Sequence, residues 1–187
     1  MKKIWVVVLS VASTLAFAGT SHARSGGGSG VLFDVNLYYG SSKSATKLTG
    51  GTETTNSDNS SAIYDIKLGY LSDSGLYFGG IYTSRSDSAL NASGTNGSAM
   101  GASIGYFGSM GFFIQGHYLL SAEYGPYKEG KGIQVDVGYK AGVGSGWLLG
   151  GELTYRSIGY KKHDTISNLD TYTLTEVVPM ISIGYLF

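Results

Sequence analysis

The chain has 187 residues, with 30 Gly, 15 Tyr, 2 Pro and no Cys, and its 13 Lys and Arg balance its 13 Asp and Glu. This length points to one domain. Aromatic residues at 13% and charged residues at only 14% exclude a disordered tail protein, the neutral balance offers no basic face to nucleic acid, and the lack of Cys removes disulfides and thiol chemistry.

Met1, Lys2 and Lys3 give a positive start, and Ile4 to Ala18 is an apolar run too short and too rich in Ser, Thr and Ala to span a bilayer as a helix. A secretory signal peptide is expected over residues 1–23, cleaved after Ser21-His22-Ala23. Residues 24–30 are then a Gly/Ser-rich segment, and residues 31–187 form the folded domain.

From Val31 onward the dominant pattern is alternation with period two, the mark of strands with two unlike faces. Eight strands are expected. The first, Val31 to Tyr39, sets Val31, Phe33, Val35, Leu37 and Tyr39 against Leu32, Asp34, Asn36 and Tyr38. Ile63 to Leu71 sets Tyr64, Ile66, Leu68 and Tyr70 against Asp65, Lys67 and Gly69. Leu76 to Arg85, Ala99 to Phe107 and Phe112 to Leu119 follow, with Arg85, Ser103, Gln115 and His117 on their polar or small faces. Ile133 to Gly142 places Gln134, Asp136 and Lys140 on one face, and Trp147 to Arg156 places Glu152, Thr154 and Arg156 there. The last, Thr173 to Phe187, sets Val177, Pro179, Ile181, Ile183, Tyr185 and Phe187 against Glu176, Val178, Met180 and Ser182.

Connection lengths alternate. Ser72 to Gly75, Gly108 to Gly111 and Val143 to Gly146 are tight turns, whereas Gly40 to Ala62, Ser86 to Ser98, Leu120 to Gly132 and Ser157 to Tyr172 are expected as long polar loops. Up-and-down hairpins put the turns at one end and the loops at the other. The apolar faces, crowded with Tyr, Phe and Trp, are too bulky for an eight-stranded lumen, and the opposite faces mix Gly with charges. Large apolar residues therefore point outward, as in a membrane barrel, with aromatic girdles near both ends. Four even-numbered strands carry a Gly-Tyr repeat after an aliphatic residue: Leu68-Gly69-Tyr70, Ile104-Gly105-Tyr106, Val137-Gly138-Tyr139 and Ile183-Gly184-Tyr185. The Gly makes interior room, and the adjacent Tyr is expected to shield bare backbone.

The inward faces collect the acids Asp34, Asp65, Asp136, Glu152 and Glu176 and the bases Lys67, Arg85, Lys140 and Arg156. Buried charges need partners, so the expectation is a salt-bridged plug, with an ion path as the alternative. Counting across the turns places Arg85 near Asp65, and Lys140 diagonally near Glu152. Ser103, His117 and Asp136 also fall on adjacent strands, an order suited to a nucleophile, a base and an orienting acid. His117 is expected roughly 15 Å above the turn at Gly111, mid-barrel and out of reach of lipid substrates. No catalytic, metal or cofactor site is expected. Only two His remain after the leader, far apart and without Cys, and no Gly-rich stretch leads into a phosphate-binding helix.

With its leader, its alternating connections and an outward-facing Phe187 at the end, the sequence resembles the small eight-stranded outer-membrane barrels of Gram-negative bacteria, the OmpA-domain, OmpX and OmpW type, over residues 31–187. The resemblance implies an all-β, antiparallel up-and-down transmembrane barrel with periplasmic termini and extracellular long loops. It implies that Ile181, Ile183, Tyr185 and Phe187 are the signal read by the barrel assembly machinery. Outer-membrane lipid and lipopolysaccharide are the expected surroundings, and Lys161, Lys162 and His163 could meet surface polyanions. The His-x-Ser pattern of lipid A deacylases is absent, since Tyr118-Leu119 follows His117 and Asp164-Thr165 follows His163. Pro179 departs from the pattern, and a bulge or the strand's top is expected there. The function expected is non-enzymatic, structural or surface-interacting through the loops; a narrow pore for small solutes is the alternative.

Overall fold

The computed structural model describes residues 29–46, 54–89, 92–165 and 171–187. The expected signal peptide lies outside these residues, as does nearly all of the Gly/Ser segment. Nine strands run through them: β1 (Gly30–Thr46), β2 (Thr54–Leu71), β3 (Leu76–Ala89), β4 (Ala92–Phe107), β5 (Phe112–Tyr124), β6 (Tyr127–Gly144), β7 (Trp147–Tyr160), β8 (Lys162–His163) and β9 (Tyr172–Leu186). Every pairing is antiparallel. The order β5-β4-β3-β2-β1-β9-β7-β6 closes on itself through β5 and β6, while β8 continues the line of β7 against Tyr127 and Lys128. This is the closed eight-stranded barrel that the alternation predicts.

The faces also fall as the alternation requires. Leu37, Leu68, Ile104, Ile114, Val137, Leu153 and Ile181 are all exposed on the outer wall, whereas Asp34, Asp65, Lys67, Gln115, Asp136, Lys140, Glu152 and Arg156 are buried inside. A hydrophobic exterior around a charged interior is stable only where the exterior solvent is apolar. The outward series on the last strand runs from Val177 to Phe187. At about 3.3 Å per residue and a tilt of about 40° the apolar band is about 25 Å tall, the thickness of a bilayer core crossed by a barrel. The protein is a membrane β-barrel. Aromatic rings meet edge to face along the turn-side rim, as in Phe112 with Tyr139, Trp147 with Tyr185, and Tyr185 with Phe187.

The tight turns follow local chemistry. In the first, the Gly75 N–H bonds to the Ser72 carbonyl and the Ser72 N–H to the Leu76 carbonyl; in the second, Gly111 and Gly108 repeat both bonds. Gly75 and Gly111 have φ of 93° and 90°, a region that a side chain strains, so these two positions fix hairpin register.

Three expectations need correction. First, the strands do not stop where the apolar alternation does. β2 begins at Thr54 rather than Ile63, β4 at Ala92 rather than Ala99, and β5 runs to Tyr124 rather than Leu119. Beyond the bilayer both faces of a hairpin meet water, so the pattern that reports a strand disappears while the ladder continues. Second, the Tyr of each Gly-Tyr repeat points outward and cannot cover the inward Gly. Side chains of neighbouring strands do so: a Cβ on Gly69 would lie 2.7 Å from the Tyr77 ring, one on Gly138 2.7 Å from that of Phe113, one on Gly105 2.7 Å from the Gln115 side chain, and one on Gly184 3.2 Å from the Asp34 carboxylate.

Third, Pro179 causes no bulge against β7, where Leu153 pairs with it in unbroken register. Its effect is on the other side. The Phe187 N–H bonds to the Val31 carbonyl of β1 and the Leu186 N–H to the Gly146 carbonyl beside β7. Odd residues of β9 therefore point their N–H toward β1. The β1–β9 ladder runs only from Leu32–Leu186 to Leu37–Ile181, and the next donor in that series belongs to Pro179, which has none. The junction of first and last strands ends there, while β1 and β9 each continue toward the loop end paired on one side only.

Candidate functional site

The chemistry of this molecule is concentrated in its interior, which is layered along the barrel axis. Nearest the turns, Leu32, Leu71, Tyr77, Phe107, Phe113 and Leu148 pack into an apolar floor. The Tyr77 ring meets Phe107 edge to face and Phe107 stacks on Phe113. The Tyr77 hydroxyl is buried there without a protein partner.

Above the floor the inward residues of nonadjacent strands meet across the lumen. Lys140 of β6 pairs with Asp34 of β1, with its ammonium 4.6 Å from the Phe113 ring centre. Asp34 also accepts a hydrogen bond of 2.9 Å from Ser182 of β9, which ties the two strands of the short junction together. Lys67 of β2 lies 2.6 Å from Asp136 of β6 and 2.9 Å from Glu152 of β7. One layer higher, Arg156 of β7 donates to both oxygens of Asp65 at 2.9 Å, with Gln134 of β6 bonded to both residues. Arg156 also holds Glu176 at 3.0 Å, and Glu176 pairs in turn with Arg85.

All nine charges singled out in the sequence thus belong to the interior, but the two pairs expected from counting across the turns do not form. Arg85 pairs with Glu176 and Asp87 rather than Asp65. Lys140 pairs with Asp34 rather than Glu152. In a narrow closed barrel the facing wall is as near as the adjacent strand, and long side chains cross to it. Sequence reasoning missed the neutral members of the network, Gln115, Gln134 and Ser182. Their inward parity was the available signal.

Ser103, His117 and Asp136 do come together. Ser103 Oγ lies 2.6 Å from His117 Nδ1, and His117 Nε2 lies 2.8 Å from Asp136 Oδ2. Yet the same carboxylate oxygen accepts from Lys67, and Gln134 bonds to this carboxylate as well. The row continues through Gln134, Arg156, Glu176, Arg85 and Asp87 to Tyr124 at the loop end. There a pocket of about 20 Å³, lined by Thr83, Arg85, Tyr124, Arg156, Tyr160 and Glu176, has room for about one water.

Beyond the apolar band, burial pushes the Asp87 carboxyl up, but hydrogen bonds from Arg85, Ser61 and Tyr124 outweigh it and hold it below its usual value. A second aromatic cluster caps this end, where Tyr127 stacks on Tyr172 and meets His163 edge to face.

No protein-family model and no curated protein sequence matches this chain. Among solved structures it is similar to the outer membrane protein AlkL determined in lipid bilayers, at 14% identity and a TM-score of 0.44, covering 86% of this chain and 90% of that one. It is also similar to OmpT of Vibrio cholerae, at 14% identity and a TM-score of 0.37; 87% of this chain is covered, and about half, 53%, of that one.

Proposed function

We propose that the protein is a closed, non-enzymatic barrel of the bacterial outer membrane that serves a structural or surface-interaction role through the hairpins at its loop end. The cross-lumen network supports this reading. A solute path needs a continuous aqueous column, and here Lys140–Asp34, Lys67–Asp136–Glu152 and Arg156–Asp65 fill successive layers above the apolar floor. The Ser103–His117–Asp136 row is enclosed by those layers, and its acid is already engaged by Lys67, so it acts as one more strut rather than as a catalyst. On this reading the termini and tight turns are periplasmic, and lipid and lipopolysaccharide surround the apolar band. Ile181, Ile183, Tyr185 and Phe187 are the signal taken up by the assembly machinery.

Planar-bilayer recording on refolded protein tests the closed lumen. The wild type should show no steady unit conductance, and Glu152→Gln should raise conductance by loosening the middle layer, while Glu129→Gln at the exposed rim should not. Steady, large wild-type conductance that Glu152→Gln leaves unchanged would replace this reading with the narrow pore. Orientation is tested separately on intact cells: an impermeant thiol reagent should label Asp164→Cys and spare Ser74→Cys.

A further inference from the structure

We propose that Lys131 and Lys161 form a phosphate clamp on the outer wall, holding a glycolipid phosphomonoester of the surrounding leaflet against the β6–β7 sector. The inference rests on the reading that the hairpin end faces the outer leaflet.

Among the residues whose side chains are described, four cations do not point into the lumen: Lys128, Lys131, Lys161 and Lys162. All four lie on β6, on β8 or on the residue that links β7 to β8. Two of them already hold carboxylates, Lys128 that of Glu123 at 2.7 Å and Lys162 that of Glu129 at 3.7 Å. Lys131 and Lys161 have no described carboxylate within ion-pair distance, and both are exposed.

Their depth is what gives them a target. Lys131 shares the outer face of β6 with Ile133 and lies two residues above it, so its ammonium stands at the border of the apolar band. At the same border β2, β3, β4, β5, β7 and β9 present Ala62, Ser84, Ser98, Ser121, Ser157 and Thr175, which are neutral. Among the residues whose side chains are described, only this sector offers positive charge where lipid phosphates begin.

The surface between the two lysines is also recessed. Gly159 sits directly opposite Lys131 in the β6–β7 register. A Cβ there would meet nothing nearer than the Thr171 and Thr173 side chains, at 3.6 and 4.0 Å. Lys161 lies two residues further along, the diagonal position, at about 7 to 8 Å from Lys131. Two flexible stems at that spacing can close on one phosphate, with the Thr173 hydroxyl at its edge. A phosphomonoester approaches two negative charges and so matches two ammonium groups, whereas the phosphodiester of an ordinary phospholipid carries one.

The test is titration of refolded protein in zwitterionic micelles with bisphosphorylated lipid A, read by native mass spectrometry. Each lysine near a charged membrane surface is worth about 1 kcal/mol, which is roughly fivefold in affinity. Lys131→Gln or Lys161→Gln should therefore weaken binding about fivefold and the double variant roughly twenty-five-fold. Lys128→Gln, already neutralised by Glu123, should change nothing, and Lys131→Arg should retain affinity. Heat-modifiable migration on gels verifies that each variant is folded. Unchanged affinity in the double variant overturns the clamp. So does an equal loss for dephosphorylated lipid A, which would place the contact on the acyl chains, or phosphatidylglycerol binding as tightly and with the same lysine dependence, which would reveal general anion attraction. Failure of the orientation reading registers elsewhere, as inverted labelling at Ser74 and Asp164.

Discussion

Lys67 and Glu152 lie on strands that share no ladder, yet the ammonium of one is 2.9 Å from a carboxylate oxygen of the other, and Asp136 completes the group on a third strand. Both partners of Lys67 are buried, so removing the shared cation leaves two carboxylates facing each other with no cation between them, and only the hydrogen bonds from His117 and Gln134 remain on Asp136. Lys67→Met should cost about 3 to 5 kcal/mol of stability. Glu152→Gln keeps the shape and leaves Lys67 its bond to Asp136, so about 1 to 3 kcal/mol is expected. Urea unfolding in lipid vesicles, followed by the fluorescence of Trp147, measures both; equal losses would mean that Lys67 does not join the group.

Pro179 ends the β1–β9 ladder by withholding one donor. Replacing it with Val supplies that donor opposite Tyr39, and the net gain should be small, up to about 1 kcal/mol, because proline's restriction of the unfolded chain is lost at the same time. Hydrogen exchange is the more direct reading. A protected amide at position 179 is expected in the variant, and a freely exchanging one would assign the end of the ladder to β1 instead.

The Tyr77 hydroxyl is fully buried in the apolar floor with no protein partner. Tyr77→Phe keeps the ring that covers Gly69 and packs on Phe107 while deleting a desolvated polar atom. Stability should rise by about 1 kcal/mol, measured as a higher urea midpoint. A loss of similar size would show that the hydroxyl is hydrogen-bonded in the membrane.

Asp87 supplies a pH dependence with a definite sign. Its folded-state value is depressed below the ordinary 3.8, so the stability it contributes is fully present above the unfolded value and is lost as pH falls through the folded one. Partial exposure keeps the effect modest. Thermal melts should therefore weaken below about pH 4, and Asp87→Asn should flatten that part of the profile. A slope that survives the substitution would assign it to other carboxylates.

Deleting Phe187, exposed at the turn-side rim and edge to face with Tyr185, should reduce the amount of folded barrel recovered from the outer membrane. Heat-modifiable band intensity measures this, and unchanged intensity would remove Phe187 from the assembly signal.

Sequence made the barrel legible because the bilayer imposes opposite solvents on its two faces. Asp34, Lys67, Asp136 and Glu152 each sit one residue from an outward apolar neighbour, so parity alone assigns them inward. Partners were not legible, since parity carries no information about which facing strand a long side chain reaches; Arg85 meeting Glu176 rather than Asp65 is one instance. Strand ends failed for a related reason. Past Tyr82 the outer face of β3 reads Ser84, Ser86, Ser88, which is strand in the structure but looks like loop without a contrast between faces. Pro179 signalled a missing bond correctly but not on which side, because that depends on hydrogen-bond phase, which only the register reveals.

Ladders hold neighbouring strands edge to edge, but a ring joined only at its circumference can still be squeezed into an ellipse. Lys140 to Asp34, Lys67 to Glu152 and Arg156 to Asp65 cross the lumen between strands three places apart in the ring of eight, at three heights, much as spokes do in a wheel. Such spokes exist only once the ring has closed, so they add nothing to an open sheet and all their stiffness to the finished barrel. Lateral pressure from the bilayer is therefore met by ion pairs that brace the closed ring from within.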